Sequence, residues 1–261
     1  MIDDLKRAIA QLRRTKPLVL CLTNAVTMDF MANCLLSLGA APIMSKDIRE
    51  LDELIKVCHV VNLNIGTLDV NFIDRAEQAL QLAETHHKPV ILDPVGAGTT
   101  SIRTTSSQIL MASADIIRGN ASEIMAITGN IHASKGVESS HAVSDATDLA
   151  TTFAEAYQCT VVVSGAEDFI TNGQQQERLA FGSPLMALVT GMGCSLTAVI
   201  GAFKSIIPDS FHAARLGTAY FGLCGALAAQ KTDKPGSFRT LFIDELYTAD
   251  FAAMKDLIHA I

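Results

Sequence analysis

The 261 residues contain no tryptophan and only three tyrosines, and charged side chains make up 18% of the chain against 49% hydrophobic. With so little charge, many elements must be buried on more than one face, which favours a layered α/β body over a solvated or charge-rich protein. Basic runs are missing as well. The formal charge is −7 and no Lys/Arg stripe is present to track a phosphate backbone, which argues against nucleic acid as a partner. No C-x-x-C pair links Cys21, Cys34, Cys58, Cys159, Cys194 and Cys224, so no zinc site or thioredoxin-type centre is indicated, and scattered thiols suit a reducing cytoplasm. Long apolar runs are absent too. Leu216 to Ala229 is interrupted by glycines and falls short of the roughly 20 residues that span a bilayer, so it reads as a buried helix. MIDDLKRAIAQLRRTKP at the N-terminus alternates charge with apolar residues, as an amphipathic helix does and a signal peptide does not. A cytoplasmic protein with no membrane partner is expected.

What is present is a series of short β-rich runs: 17–22, 59–65, 89–93, 114–119, 160–165 and 185–189. Helical patterns lie near 26–39, 48–57, 69–86, 105–112, 121–128, 145–157, 194–207, 210–230 and 245–259. Strands alternating with helices imply a largely parallel central sheet with helices on both faces. No linker, composition shift or repeat divides the chain, so one domain over 1–261 is the expectation. His86 and His87 are adjacent and read as a solvated helix end.

Ligands of open α/β sheets collect at the carboxyl ends of the strands, and there each run ends in polar or glycine residues. Thr23 and Asn24 follow the first, Gly66 and Thr67 the second, Asp93-Pro94 the third, Arg118-Gly119-Asn120 the fourth, Ser164-Gly165 the fifth, and Gly191-Met192-Gly193-Cys194 the last. A glycine-bracketed turn opening a helix exposes backbone N–H groups at the positive end of the dipole, a seat for phosphate or developing negative charge. It also serves as a tight packing turn, and it lacks the Gly-Lys-Ser/Thr ending of a Walker loop. Cys194 reads either as a packed thiol or as a participant whose pKa the helix terminus lowers. Asn120 and Glu123 form a capping box with no ligand needed, and Asp93 before Pro94 suits a turn. Two carboxylates at neighbouring strand ends are equally how a protein holds hydrated Mg²⁺ beside nucleotide phosphates. Arg118 is either a solvated charge or a fork of donors to phosphate. Met28, Met31 and Met44 read as core or interface filler, with Met44 also able to wall a small apolar pocket.

Together LTNAVTMDFMANCLLSLGAAPIM, LNIGTLD, KPVILDPVGAGTTSIRT, IIRGNASEI, VVVSGAEDFITNG and VTGMGC, in order and nearly end to end, resemble the hydroxyethylthiazole kinase family of thiamine salvage, within the ribokinase-like superfamily. The resemblance implies a ribokinase-like fold and transfer of the ATP γ-phosphoryl to the primary hydroxyl of 4-methyl-5-(2-hydroxyethyl)thiazole, with Mg²⁺. It further implies substrate contacts from Met44 and Gly191, with Asn24, Gly66 and Thr67 near the thiazole. Arg118 and Ser164 match ATP contacts, joined by Asn120, and Asp93 and Glu123 match the acids around Mg²⁺. Gly191, Gly193 and Cys194 form the catalytic turn, Cys194 standing where most ribokinase-like relatives carry an aspartate. A homotrimer with the thiazole pocket between subunits is implied as well. Where the family usually carries His-Asn this chain has Leu20-Cys21-Leu22, and Ser164 and Met192 each replace a Thr. Two rival functions share these motifs: a ribokinase-like kinase for another small alcohol such as a hydroxymethylpyrimidine, and a non-catalytic binding regulator.

Overall fold

The apolar, β-branched runs pair as the alternation anticipates. A computed structural model describes residues 1–69, 71–129 and 140–259, with the backbone alone for 140–145. Among these, the strands are β1 (Leu18–Leu22), β2 (Ala41–Met44), β3 (Val60–Asn64), β4 (Val90–Asp93), β5 (Ile116–Asn120), β6 (Thr160–Ser164), β7 (Asp168–Thr171) and β8 (Gln176–Leu179). They form one sheet in the order β2-β1-β3-β4-β5-β6-β7-β8. The first six in that order are parallel, and β7 and β8 are antiparallel additions. The three residues 165–167 between β6 and β7 cannot carry a crossover, so the chain turns back as a hairpin.

Helices cover both faces. On one lie α1 (Ile2–Thr15), α2 (Met28–Leu38), α8 (Met192–Lys204), α9 (Ser210–Lys231), α10 (Pro235–Thr248) and α11 (Phe251–His259); on the other lie α3 (Leu51–Val57), α4 (Phe72–Thr85), α5 (Ser101–Leu110), α6 (Ala121–Ile127) and α7 (Ser140–Tyr157). The run Leu216 to Ala229 is the middle of α9 and is buried, as expected. No helix among the described residues is long and apolar enough to cross a membrane.

Side-chain alternation decides what reaches the functional end. Val60, Ile91 and Ile116 pack on the α8 face, while Val61, Leu92 and Ile117 pack on the opposite one. Counting in twos puts Asn64, Asp93 and Arg118 on the α8 face, at the carboxyl ends of three adjacent strands. Asn64 and Asp93 are direct register partners.

Several expectations need correction. The run 185–189 is not a strand: Ser183 and Pro184 start a 3-10 turn over Pro184–Leu188, with Ser183 Oγ accepting from Leu185 N–H at 3.2 Å. A hydroxyl cap followed by proline outweighs the apolar pattern. The helix expected over 245–259 is two helices, because Ala249 turns left-handed (φ 52°) and Asp250 caps the next. β2, β7 and β8 escaped the sequence reading: β2 is four residues long with Pro42 in it, tolerated because the strand lies at the sheet edge. Val70, inside the helix expected over 69–86, lies outside the described residues. His87 is exposed, but His86 is half-buried with Nε2 3.0 Å from Asp52, so only one of the pair is a solvated end.

Candidate active site

Asp93 is fully buried at the end of β4. Its Oδ2 accepts from Asn64 Nδ2 at 2.9 Å and Thr197 Oγ1 at 2.8 Å, with Arg118 Nη1 at 3.7 Å, while Oδ1 is buried with no partner among the described residues. Burial pushes its carboxyl up to about 6, Arg118 pulls against that, and nearby Glu123 adds to the rise. Arg118 also donates through Nη2 to Ser164 Oγ, which in turn donates to Gly119 O at 3.3 Å.

Asn120 and Glu123 do form a capping box: Asn120 Oδ1 accepts from Glu123 N–H, and Glu123 Oε2 accepts from Asn120 N–H, both at 2.9 Å. The other oxygen, Oε1, accepts from Gly96 N–H at 2.8 Å, which ties the loop after β4 to the start of α6. Glu123 therefore has a structural function, with both oxygens occupied by backbone donors.

Gly191 caps α8 with φ 95°, a conformation that favours glycine. Ser195 N–H makes the first intrahelical bond, to Gly191 O at 2.8 Å, and the N–H groups of Gly193 and Cys194 have no partner among the described residues. At Gly193 a Cβ would stand 2.5 Å from Arg118 Nη1, so only glycine lets this backbone meet the guanidinium. Ser195 through Phe203 are buried, so α8 points one polar end at the strand-end rim. The Cys194 thiol is half-buried and receives Asn24 Nδ2 at 3.4 Å. Burial, with the Asp93 carboxylate adding to it, pushes this thiol up. The direction is opposite to the lowering that a helix terminus favours, and burial of the thiol is its largest cause.

Asn24 is held by Thr27, whose N–H and Oγ donate to Asn24 Oδ1 at 3.0 and 2.9 Å. Gly66 N–H donates to Asn64 Oδ1 at 3.0 Å, and Ala25 N–H donates to Thr67 Oγ at 3.0 Å, which laces the loops after β1 and β3 together. Met44 is half-buried at the end of β2, beside Cys21 in register.

A cavity of about 740 Å³ opens beside these groups, with Arg118, Asn120, Ser164 and Gly193 at its polar end and Phe181, Met186, Leu196 and Phe221 along its apolar part. Another, of about 790 Å³, lies at the opposite ends of the strands around His59, Lys88 and Lys204, away from every group described above. No cluster of three or more metal-ligating side chains occurs among the described residues.

A model of the hydroxyethylthiazole kinase family matches residues 9–251. The chain belongs to the hydroxyethylthiazole kinase family. It is 50% identical over 258 residues to the hydroxyethylthiazole kinase of Chlamydia felis, covering 98% of each chain. It is 40% identical over 241 residues to that of Desulfotalea psychrophila, covering 92% of this chain and 88% of the relative. The solved hydroxyethylthiazole kinase protein of Pyrococcus horikoshii superposes with a TM-score of 0.87 at 34% identity, over 94% of this chain and 93% of that one. A ribokinase-like superfamily protein of Enterococcus faecalis, at 13% identity and a TM-score of 0.62 over 88% and 86% of the two chains, shares the fold. The fold is ribokinase-like.

For this hydroxyethylthiazole kinase family member, the tertiary structure adds site residues that motif reading passed over. Thr197 donates to Asp93 and, at 3.2 Å, to Gly193 O. Arg103 donates to the carbonyls of Ile65, Val95 and Gly66 at 2.8, 2.8 and 3.0 Å, clamping two strand-end loops. Asp168 lines the cavity and accepts from Gly165 N–H at 3.0 Å, and burial pushes its carboxyl up to about 6. Asn64 and Asn62 are fully buried polar residues in an otherwise apolar strand, a signal available in the sequence.

Proposed function

We propose that this chain transfers the γ-phosphoryl group of ATP to the primary hydroxyl of 4-methyl-5-(2-hydroxyethyl)thiazole. The observation that carries this reading is the pair of N–H groups of Gly193 and Cys194, unpartnered among the described residues, with Gly193 and Arg118 at the polar end of a nucleotide-sized cavity and Asp93 behind Arg118. The apolar part of that cavity accepts the base, and Arg118, Ser164 and Asn120 meet the phosphates. The N–H groups of Gly193 and Cys194 then face the transferring phosphoryl, donors fixed before charge develops. On the other side of Cys194, Asn24, Gly66, Thr67, Gly191 and Met44 surround the alcohol, so the two reactants approach in line. A loose transition state needs little help from a base, and a thiol raised by burial stays protonated at neutral pH. Cys194 therefore acts by contact and spacing next to the hydroxyl.

The residues fit a hydrated Mg²⁺. Asp93 Oδ1 is a buried carboxylate oxygen without a partner among the described residues, and Glu123, with one backbone donor on each oxygen, retains lone pairs for a metal-bound water. Bound there, Mg²⁺ supplies neutralisation of phosphate charge.

We further propose a homotrimer with the Met44 segment at the subunit interface. It is supported by the exposed apolar side chains of Val26 and Ile48, 69% and 41% accessible, in the segments that flank the alcohol side. Six free cysteines, five of them buried, support residence in a reducing cytoplasm.

The test is incubation with the thiazole alcohol, ATP and Mg²⁺, following the phosphate monoester by ³¹P NMR. Phosphorylation of a hydroxymethylpyrimidine in place of the thiazole would move the assignment to another alcohol kinase. Binding of both ligands without transfer would make the protein a regulator.

A further inference from the structure

We infer that Asn64 is a positioning residue, an amide relay that fixes the Asp93 carboxylate and the Cys194 side of the site relative to each other; this rests on the phosphoryl-transfer reading above. Asn64 Oδ1 accepts from two N–H donors, Gly66 N at 3.0 Å and Asn24 Nδ2 at 2.9 Å. Those donors forbid an amide flip, so the Asn64 Nδ2 must face Asp93 Oδ2, 2.9 Å away. Asn24 is locked by the same logic. Its Oδ1 accepts from Thr27 N–H and Oγ, which leaves its Nδ2 to serve both Asn64 Oδ1 and, at 3.4 Å, Cys194 Sγ. One chain of donors therefore runs from Thr27 through Asn24 and Asn64 to Asp93, with a branch to the sulfur. Thr197 joins Asn64 on Oδ2 and leaves Oδ1 of Asp93 as the bare oxygen.

Holding the backbone does not require this amide. Arg103 already clamps Ile65, Gly66 and Val95, and Thr67 already binds Ala25. Asn62, two residues back on the same face, shows how an asparagine sits here when it bridges nothing. Among the described residues its amide nitrogen donates weakly to Cys21 Sγ at 3.7 Å and Met31 Sδ at 3.5 Å, and its Oδ1 has no hydrogen-bond partner. The bonds of Asn64 go instead to the carboxylate on the phosphate side and to the amide beside the acceptor hydroxyl, the two sides that in-line transfer must hold in register.

The test compares wild type, Asn64→Ala and Asn64→Leu at about pH 8, where carboxylates are ionised, with Asn62→Ala as a control on the same strand. For folded Asn64→Ala, kcat is expected to fall about 10- to 100-fold, with KM for both alcohol and ATP within about threefold. Asn64→Leu keeps much of the side chain's volume but has neither the acceptor for Gly66 and Asn24 nor the donor to Asp93, and its kcat is expected to fall as far, whereas Asn62→Ala, which bonds to none of these groups, is expected to stay within about twofold of wild type. A second readout needs no metal or nucleotide. Alkylation of Cys194 by iodoacetamide, followed by mass spectrometry, is expected to slow by about threefold or more in Asn64→Ala and Asn64→Leu, where Asn24 loses its anchor, and to hold near wild type in Asn62→Ala. In the Asn64 variants, a kcat within twofold of wild type, a loss that merely follows the unfolded fraction at the assay temperature, or a loss confined to KM would overturn the relay. If wild type itself transfers no phosphate, the functional reading fails instead, and the alkylation contrast alone decides whether Asn64 positions Asn24.

Discussion

Gly193 shows how narrow the tolerances are at the scale of one residue, because its missing Cβ is what lets Arg118 sit against the start of α8. In Gly193→Ala the guanidinium must move off the phosphate side, and kcat is expected to drop about 10²-fold with little change in the melting temperature. Steady-state kinetics beside a thermal melt checks it, and an unimpaired alanine variant would show that the contact is idle. Asp93 makes a different kind of prediction. With its carboxyl pushed up to about 6, mainly by burial, kcat/KM is expected to fall as pH drops through that value, because the charged form is the one that serves the phosphate side. For stability the sign is opposite: a folded-state value above the ordinary 3.8 means that protonation between those values favours the fold. A pH profile in which activity is lost on acidification while the melting temperature of the metal-free protein rises relative to that of Asp93→Asn would show both. An acid limb unchanged in Asp93→Asn would remove the assignment.

At the scale of elements, the site depends on loops that no strand or helix holds by itself. Arg103, from α5, gathers three carbonyls from the loops after β3 and β4, and Glu123 fastens the second loop to α6. Arg103→Met is expected to cost about 2 to 4 kcal/mol of stability, since hydrogen bonds to a charged donor are each worth roughly 1.5 to 3 kcal/mol and water replaces part of them. It should also raise KM for the alcohol more than for ATP, as Gly66 and Thr67 lie on the side proposed for the alcohol. Denaturant melts with separate KM measurements test this, and equal effects on both substrates would mean that the clamp is only structural. The same elements explain which parts of the fold were legible. Fully buried parallel strands such as β3 and β4 announce themselves as apolar runs, and α8 as a glycine turn followed by apolar residues. The Ser183-Pro184 cap hid a 3-10 turn inside an apolar run, and the edge strands β2 and β8 are too short and too polar or proline-broken to stand out.

For the whole molecule, the apolar segments left exposed around Val26 and Ile48 bear on the proposed assembly. The proposed trimer predicts a solution mass close to three chains of 27.8 kDa, measurable by light scattering. Val26→Asp, at a position 69% exposed, is expected to shift that mass toward a single chain and to raise KM for the alcohol by about tenfold, with KM for ATP unchanged. A monomeric wild type with full activity would dispose of the shared pocket.

The sequence by itself determined the class of fold, because alternation of apolar strands with amphipathic helices leaves few ways to bury both faces of a sheet. It also named the strand-end residues that gather at the rim, since ligand-facing groups follow strands whatever the register. Only the tertiary structure decided how those residues are held against one another. The register that sets Asn64 beside Asp93, the donors that leave Oδ1 bare, and the burial that keeps Cys194 a thiol all depend on distances between segments 29 to 170 residues apart. Such distances are set by packing, which no local spacing encodes.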